Sequence, residues 1–299
     1  MKNIYLLLAF LLFFSCKRKE RYYYPTGELY SIIELNKEGE NDGTIKKMYI
    51  TGELEGIGSY RNGKKNGFFR EFYKTGELRS VEKFINGSWI DTTKYFKKNG
   101  KISILKYRDN DKVFQETINE SNLIIAKGEI RDTSKVNWWY YYGNNGKLKQ
   151  KIEYLLINKK QHINQIYSYD EEGEIVRDSS NFYTIDLQDT IRVNMLEIGS
   201  LKLLPLLSKS TSFFKIYFSY TDYLNNDVIP VDSSYGTIDK PAKLWVKFKE
   251  EGQKKIKGYV LEENIFHKPN QKDSLAEDIY YLEHKMYFEK IVYVKEIDN

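Results

Sequence analysis

The sequence predicts an all-β protein: an elongated antiparallel β-meander of stacked hairpin repeats, followed by a small β-sandwich-like domain. Three observations lead there. Tyr occurs 26 times and Phe 16 times, against four Met and five Pro, and large aromatics fit pleated, half-buried surfaces. A glycine-centred motif returns at a nearly constant spacing through the first half. The second half holds runs in which apolar and polar residues alternate, the period-2 pattern of strands with one buried face.

In chain order, the first element is the N-terminus. Met1-Lys2-Asn3 precedes 11 apolar residues, Ile4 to Phe14. That run is too short to cross a bilayer, which needs ~20 residues, but it suits the apolar region of a signal peptide. Ser15 and Cys16 close it, ahead of Lys17-Arg18-Lys19-Glu20. Cys16 is the only cysteine, so an exported chain gains no internal disulfide from it and a reserved role is the economical account. A small residue followed by Cys at this place resembles the bacterial lipobox, although Phe13 and Phe14 stand where Leu and a small residue are usual. The resemblance implies removal of residues 1–15, acylation of Cys16, and a tether over 16–21 whose basic residues are solvated.

Residues 22–180 carry the repeat. Its copies are Tyr23-Tyr24-Pro25-Thr26-Gly27-Glu28-Leu29, Met48-Tyr49-Ile50-Thr51-Gly52-Glu53-Leu54, Phe72-Tyr73-Lys74-Thr75-Gly76-Glu77-Leu78, Tyr95 to Ile102 around Gly100, Tyr141 to Leu148 around Gly146, and a weaker one from Tyr167 to Ile175 around Gly173. The glycines are 25, 24, 24, 46 and 27 residues apart. The long gap is two periods, which places a glycine-free copy near Asn119 to Leu123. Between these lies a second motif, clearest at Asn62-Gly63-Lys64-Lys65-Asn66-Gly67 and partial around Asn86-Gly87-Ser88-Trp89 and Val136-Asn137-Trp138-Trp139. Asn-Gly between apolar runs is a strong hairpin signal, because both residues accept the positive φ of a type I′ turn. A period of about 24 residues holds two short strands and two turns. One such hairpin cannot bury its own apolar face, so neighbours must share it.

The Tyr-Tyr-x-x-x-Gly-Lys-Leu core and the Asn-Gly-Lys-Lys-Asn-Gly segment resemble the variant MORN repeat of bacterial proteins, over a little more than half of the chain. The resemblance implies a curved β-meander serving as a scaffold or recognition surface, and some chains with this repeat are described as antitoxin-like.

Residues 181–299 form the second domain, after the polar boundary Arg177-Asp178-Ser179-Ser180-Asn181. Strands are predicted at 213–220, 243–248, 257–261 and 286–294, while 201–207 and 273–283 read as helical. About 115 residues with several strands suit a small sandwich or open barrel.

The candidate chemistry is sparse. His162, His267 and His284 lie far apart without metal-ligand spacing, so neither a metal site nor a cofactor is implied. Gly56-Ile57-Gly58 lacks the third glycine of a dinucleotide loop and reads as a turn or bulge. The carboxylates Asp170-Glu171-Glu172, Glu250-Glu251 and Glu262-Glu263 read as solvated acids of turns. The net charge of +5 is spread out, which argues against nucleic acid. In the run Trp138-Trp139-Tyr140-Tyr141-Tyr142, alternate residues face opposite ways, so one set serves the core and the other offers an aromatic platform. Trp138, Trp139, Tyr141 and the repeat residue Trp89 are the candidate binding residues. The sequence therefore points to a lipid-anchored protein of the bacterial envelope, in the outer membrane where there are two. It would bind a protein or glycan on its repeat face and catalyse nothing. A toxin-neutralising immunity lipoprotein is the alternative, and a glycan-active hydrolase in the second domain a more distant one.

Overall fold

The computed structural model describes residues 18–205, 213–221, 232–269 and 277–296. The signal segment and Cys16 lie outside these. The chain forms two compact units, Met1–Leu123 and Ile124–Asn299. Among the described residues every regular element is a strand except one 3₁₀ turn, Arg177–Ser179.

The first unit is a meander of β1 (Arg18–Tyr23), β2 (Leu29–Leu35), β3 (Asn41–Met48), β4 (Leu54–Arg61), β5 (Lys64–Lys65), β6 (Gly67–Phe72), β7 (Leu78–Ile85), β8 (Ser88–Trp89), β9 (Thr93–Phe96), β10 (Ile102–Asp109) and β11 (Lys112–Ile118). Each strand pairs antiparallel with its neighbour in sequence, and β5 and β8 are short offshoots that pair with β4 and β7. β1 begins at Arg18, so residues 18–21 of the expected tether are strand, paired to β2.

Two turn chemistries build this sheet: the first three turns, including the one at Asn36 to Glu40, share one of them, and the two alternate only from β4 onward. In one, the first turn residue uses both backbone groups: Gly52 N–H donates to Tyr49 O at 2.8 Å, and Tyr49 N–H donates to Glu53 O at 2.8 Å. The glycine holds φ +95° with no atom near a would-be Cβ, so the demand is conformational and not spatial. The same bonds recur at Tyr24, Tyr73 and Lys97. The predicted glycine-free copy is there too: Asn122, at φ 59°, donates to Asn119 O. Asn is the non-glycine residue that best tolerates this region. The other chemistry is a two-residue turn, as at Asn62-Gly63 with φ 48° and 74° between paired Arg61 and Lys64. The next Asn-Gly, Asn66-Gly67, makes no turn. It interrupts the strand between β5 and β6, where Asn66 N–H donates to Ser59 O.

The three Thr-Gly-Glu turns share further bonds. Thr26, Thr51 and Thr75 hydroxyls hydrogen-bond Glu28, Glu53 and Glu77, holding these carboxyls below the usual range. Tyr24, Tyr49 and Tyr73 donate their hydroxyls to the carbonyls of Met48, Phe72 and Phe96 at 2.9, 2.7 and 2.6 Å, tying each turn to the next. At the following turns Lys97 and Asn99 reach Glu120 in place of this tyrosine ladder.

Gly56-Ile57-Gly58 lies inside β4, not in a turn or bulge. Gly58 is a slot for a ring: a Cβ there would sit 2.3 Å from Phe69. Of the large apolar side chains described in the first unit, Leu35 and Ile45 alone are fully buried.

The second unit starts with four antiparallel strands in chain order: β12 (Ile124–Arg131), β13 (Ser134–Tyr142), β14 (Leu148–Ile157) and β15 (Lys160–Ser168). Then come β16 (Phe182–Asp186), β17 (Thr190–Arg192), β18 (Glu197–Leu204), β19 (Phe213–Thr221), β20 (Asp232–Thr237), β21 (Ala242–Val246), β22 (Gly252–Pro269) and β23 (Glu277–Lys295). They build a three-stranded sheet, β16-β18-β21, and a five-stranded one, β17-β23-β22-β19-β20. One core joins the two sheets, with Leu201, Leu203, Phe214, Ile216, Phe218, Leu244, Val260 and Met286 within it. Leu201 to Leu204 are strand, not helix, because Leu201 and Leu203 point inward while Lys202 is exposed, a period of two. The second predicted helix is strand from Glu277 onward; residues 273–276 lie outside the described set.

Candidate functional site

The aromatic run lies on β13. Trp139 is 1 % exposed. Its indole N–H donates to Glu129 O at 2.8 Å, and its ring fills the space over Gly128, where a Cβ would come within 2.5 Å. It offers no surface to a ligand. Tyr141, on the same face, shares a hydroxyl hydrogen bond with Tyr154 at 2.8 Å. Lys135 lies over Trp139, Tyr141 and Tyr154 at 4.5, 5.1 and 5.6 Å from their centroids. Burial raises the Tyr141 and Tyr154 hydroxyl pKa values. On the opposite face Trp138 is half-buried, packs edge-on against Tyr167 and carries Lys151 over its ring at 4.9 Å. Tyr167 in turn stacks on Phe182 at 4.1 Å. Both faces of the run therefore serve packing, and each tryptophan carries a lysine lid.

Trp89 has a different setting. β5 and β6 are separated by one residue, whereas β8 and β9 are separated by three, Ile90 to Thr92. This longer interruption opens a cleft of about 420 Å³ between Ile90–Thr92 and the end of β10, lined by Trp89, Ile90, Asp91, Thr92, Arg108 and Asn110. Tyr107 closes it, stacked on Phe114 and donating its hydroxyl to Glu116 at 3.2 Å. The Trp89 indole N–H is buried without a hydrogen-bond partner. Arg108 lies over the Trp89 ring at 5.6 Å and forms no ion pair among the described residues. One Asp91 oxygen accepts the Thr92 N–H at 2.7 Å. An unsatisfied buried donor costs about 1–3 kcal/mol. Here it lies beside a surface cleft whose guanidinium, Arg108, is exposed.

The other candidates fall elsewhere. Asp170 caps its own turn, accepting from the backbone N–H of Glu172 and Glu174, and Glu171 accepts from Asn145. Glu251 accepts the Glu296 N–H. Glu262 departs from the solvated reading: it lies in β22, is wholly buried, and sits opposite His284 in register, with His284 Nδ1 3.7 Å from its carboxylate. No local pattern marks this pair, because its members are on separate strands. His162 bonds the Lys285 carbonyl at 2.8 Å. The side chain of His267 lies outside the described set. No group of three or more His, Cys, Asp or Glu side chains is placed to hold a metal among the described residues. No protein family matches this chain, and no curated protein matches it.

Proposed function

We propose that this chain is an envelope lipoprotein, anchored through acylated Cys16, that acts by binding a protein or glycan on its repeat sheet. One observation carries the binding part. The first unit is a single sheet in which Leu35 and Ile45 are the only fully buried large apolar residues described, while Tyr22, Tyr23, Ile50, Phe68, Ile85 and Ile90 stand exposed. Repeated hairpins then present a regular array of Tyr, Lys and Glu at ~24-residue intervals, as repeat proteins do when they recognise extended partners. The anchor rests on the lipobox resemblance, and the repeat reading on the likeness to variant MORN repeats.

The test has two arms. Cys16→Ala is expected to move the full chain from the membrane to the soluble fraction in unprocessed form; unchanged retention and size would overturn the anchor. Crosslinking of the full chain in envelope fractions is expected to yield a defined adduct that maps to residues 22–180. Adducts absent, or mapping only to residues 181–299, would overturn a repeat-face binder.

A further inference from the structure

We propose that the Trp89–Arg108 cleft is a subsite for one neutral sugar residue; the inference rests on the binding reading above and names the ligand chemistry. The walls carry one acid, Asp91, and one base, Arg108, so their formal charges cancel. An anionic ligand would gain Arg108 and meet Asp91; a cationic one would face the reverse. An apolar ligand would strand the free oxygen of Asp91 and the guanidinium of Arg108. A ring bearing several hydroxyls meets both at once. Each hydroxyl both donates and accepts. One can donate to the Asp91 oxygen not used by Thr92 while its neighbours accept from Arg108 and from Asn110, whose amide otherwise reaches only Asp109 at 3.2 Å. Ile90, 46 % exposed, offers an apolar edge for ring C–H groups. The volume of about 420 Å³ falls in the range of small-molecule sites.

The position supports a built site as well. The cleft lies where three residues interrupt the strand, against one between β5 and β6 and none in β11. Departures from a regular β pattern concentrate at sites that re-aim side chains.

The test uses the full chain, ¹⁵N-labelled and solubilised in detergent. Its four tryptophans give four indole N–H signals, and the Trp89 signal is the one missing from Trp89→Phe. Glucose, galactose and N-acetylglucosamine are titrated separately, with glucuronate as the anionic control. At least one neutral sugar is expected to move the Trp89 signal, with glucuronate at least about tenfold weaker. Arg108→Gln and Asp91→Asn, both at exposed positions, should each weaken the effect about tenfold or more. A Trp89 signal that stays still with all three neutral sugars up to about 10 mM overturns the inference, as does glucuronate binding equally well. If the signal stays still while crosslinking to the repeats persists, the sugar subsite alone falls. If the crosslink is lost as well, the binding reading falls with it.

Discussion

The first unit and the sandwich of the second are both antiparallel β, yet they are held together differently. In the sandwich, two sheets face each other across a dry core in which Ile216, Phe218, Leu244 and Val260 are wholly buried. Transfer of such side chains from water, about 25 cal/mol per Å², is the main source of cohesion there. Among the described residues the repeat sheet has no second layer within its own unit, and most of its apolar side chains stay half-exposed. Cross-strand pairs replace the core as the unit of stabilisation. Lysine stems complete them: Lys65 lies over Phe69 and Phe84 at 4.7 and 4.5 Å, and Lys106 over Tyr95 at 5.2 Å. These long side chains cover aromatic faces while keeping the ammonium wet. The difference teaches that a β-repeat can be specified by turns and pairs, whereas a closed β-domain needs a buried interior.

The comparison can be broken most directly in the core. Phe218→Ala should cost about 3–5 kcal/mol, and Phe69→Ala, half-exposed on the repeat sheet, about 1–2 kcal/mol. Denaturant unfolding of the full chain measures both; equal losses would remove the distinction. Alkaline titration sharpens the same contrast. Burial raises the folded-state pKa of Tyr183 and Tyr154 strongly, and that of Tyr107 in the first unit less. Above the ordinary value of about 10, the unfolded chain gives up protons that the folded one keeps. The contribution is therefore fully present below that pH and is lost as pH climbs through the raised folded values. Tyr183→Phe should flatten this loss more than Tyr107→Phe, read as unfolding free energy between neutral and strongly alkaline pH.

Smaller effects follow at the glycine slots. Gly128→Ala pushes a Cβ against buried Trp139, and Gly58→Ala against Phe69. Overpacking of this kind costs about 1–3 kcal/mol, with Gly128→Ala the larger because the half-exposed Phe69 can swing aside. A melting series of the two variants checks the order. Tyr49→Phe removes one rung of the hydroxyl ladder and should cost about 1 kcal/mol, an effect absent from Tyr22→Phe, whose hydroxyl makes only a solvent-exposed bond to Glu20. The smallest change has the opposite sign. Lys159 holds φ 63° in the two-residue turn that joins β14 and β15, so Lys159→Gly should raise stability by less than about 1 kcal/mol.

Much of the repeat was legible because its information is local. Positive φ at Gly27, Gly52, Gly76 and Gly100 is a property of single residues, and the missing copy at Asn119 to Leu123 followed from spacing alone. Where identical dipeptides do different jobs, locality fails: Asn62-Gly63 turns the chain and Asn66-Gly67 does not, since register against β4 decides between them. The aromatic run showed its alternation in sequence, but not that Phe182 and two lysines would cover it. Trp89 was visible only as a tryptophan in a repeat. Its cleft depends on Arg108 and Asn110, brought alongside by the next hairpin.

The sequence by itself determined the strands, turn chemistry and beat of the repeat, because backbone φ preferences and side-chain alternation act over a few residues; in the second unit it read parts of β18 and β23 as helix. Tertiary structure alone decided which faces are covered. Asn164 meets the backbone of Tyr287 across 123 positions, and Glu262 is buried beside His284 because two long strands pair in that register. Burial is a property of what lies opposite, and here what lies opposite comes from distant parts of the chain.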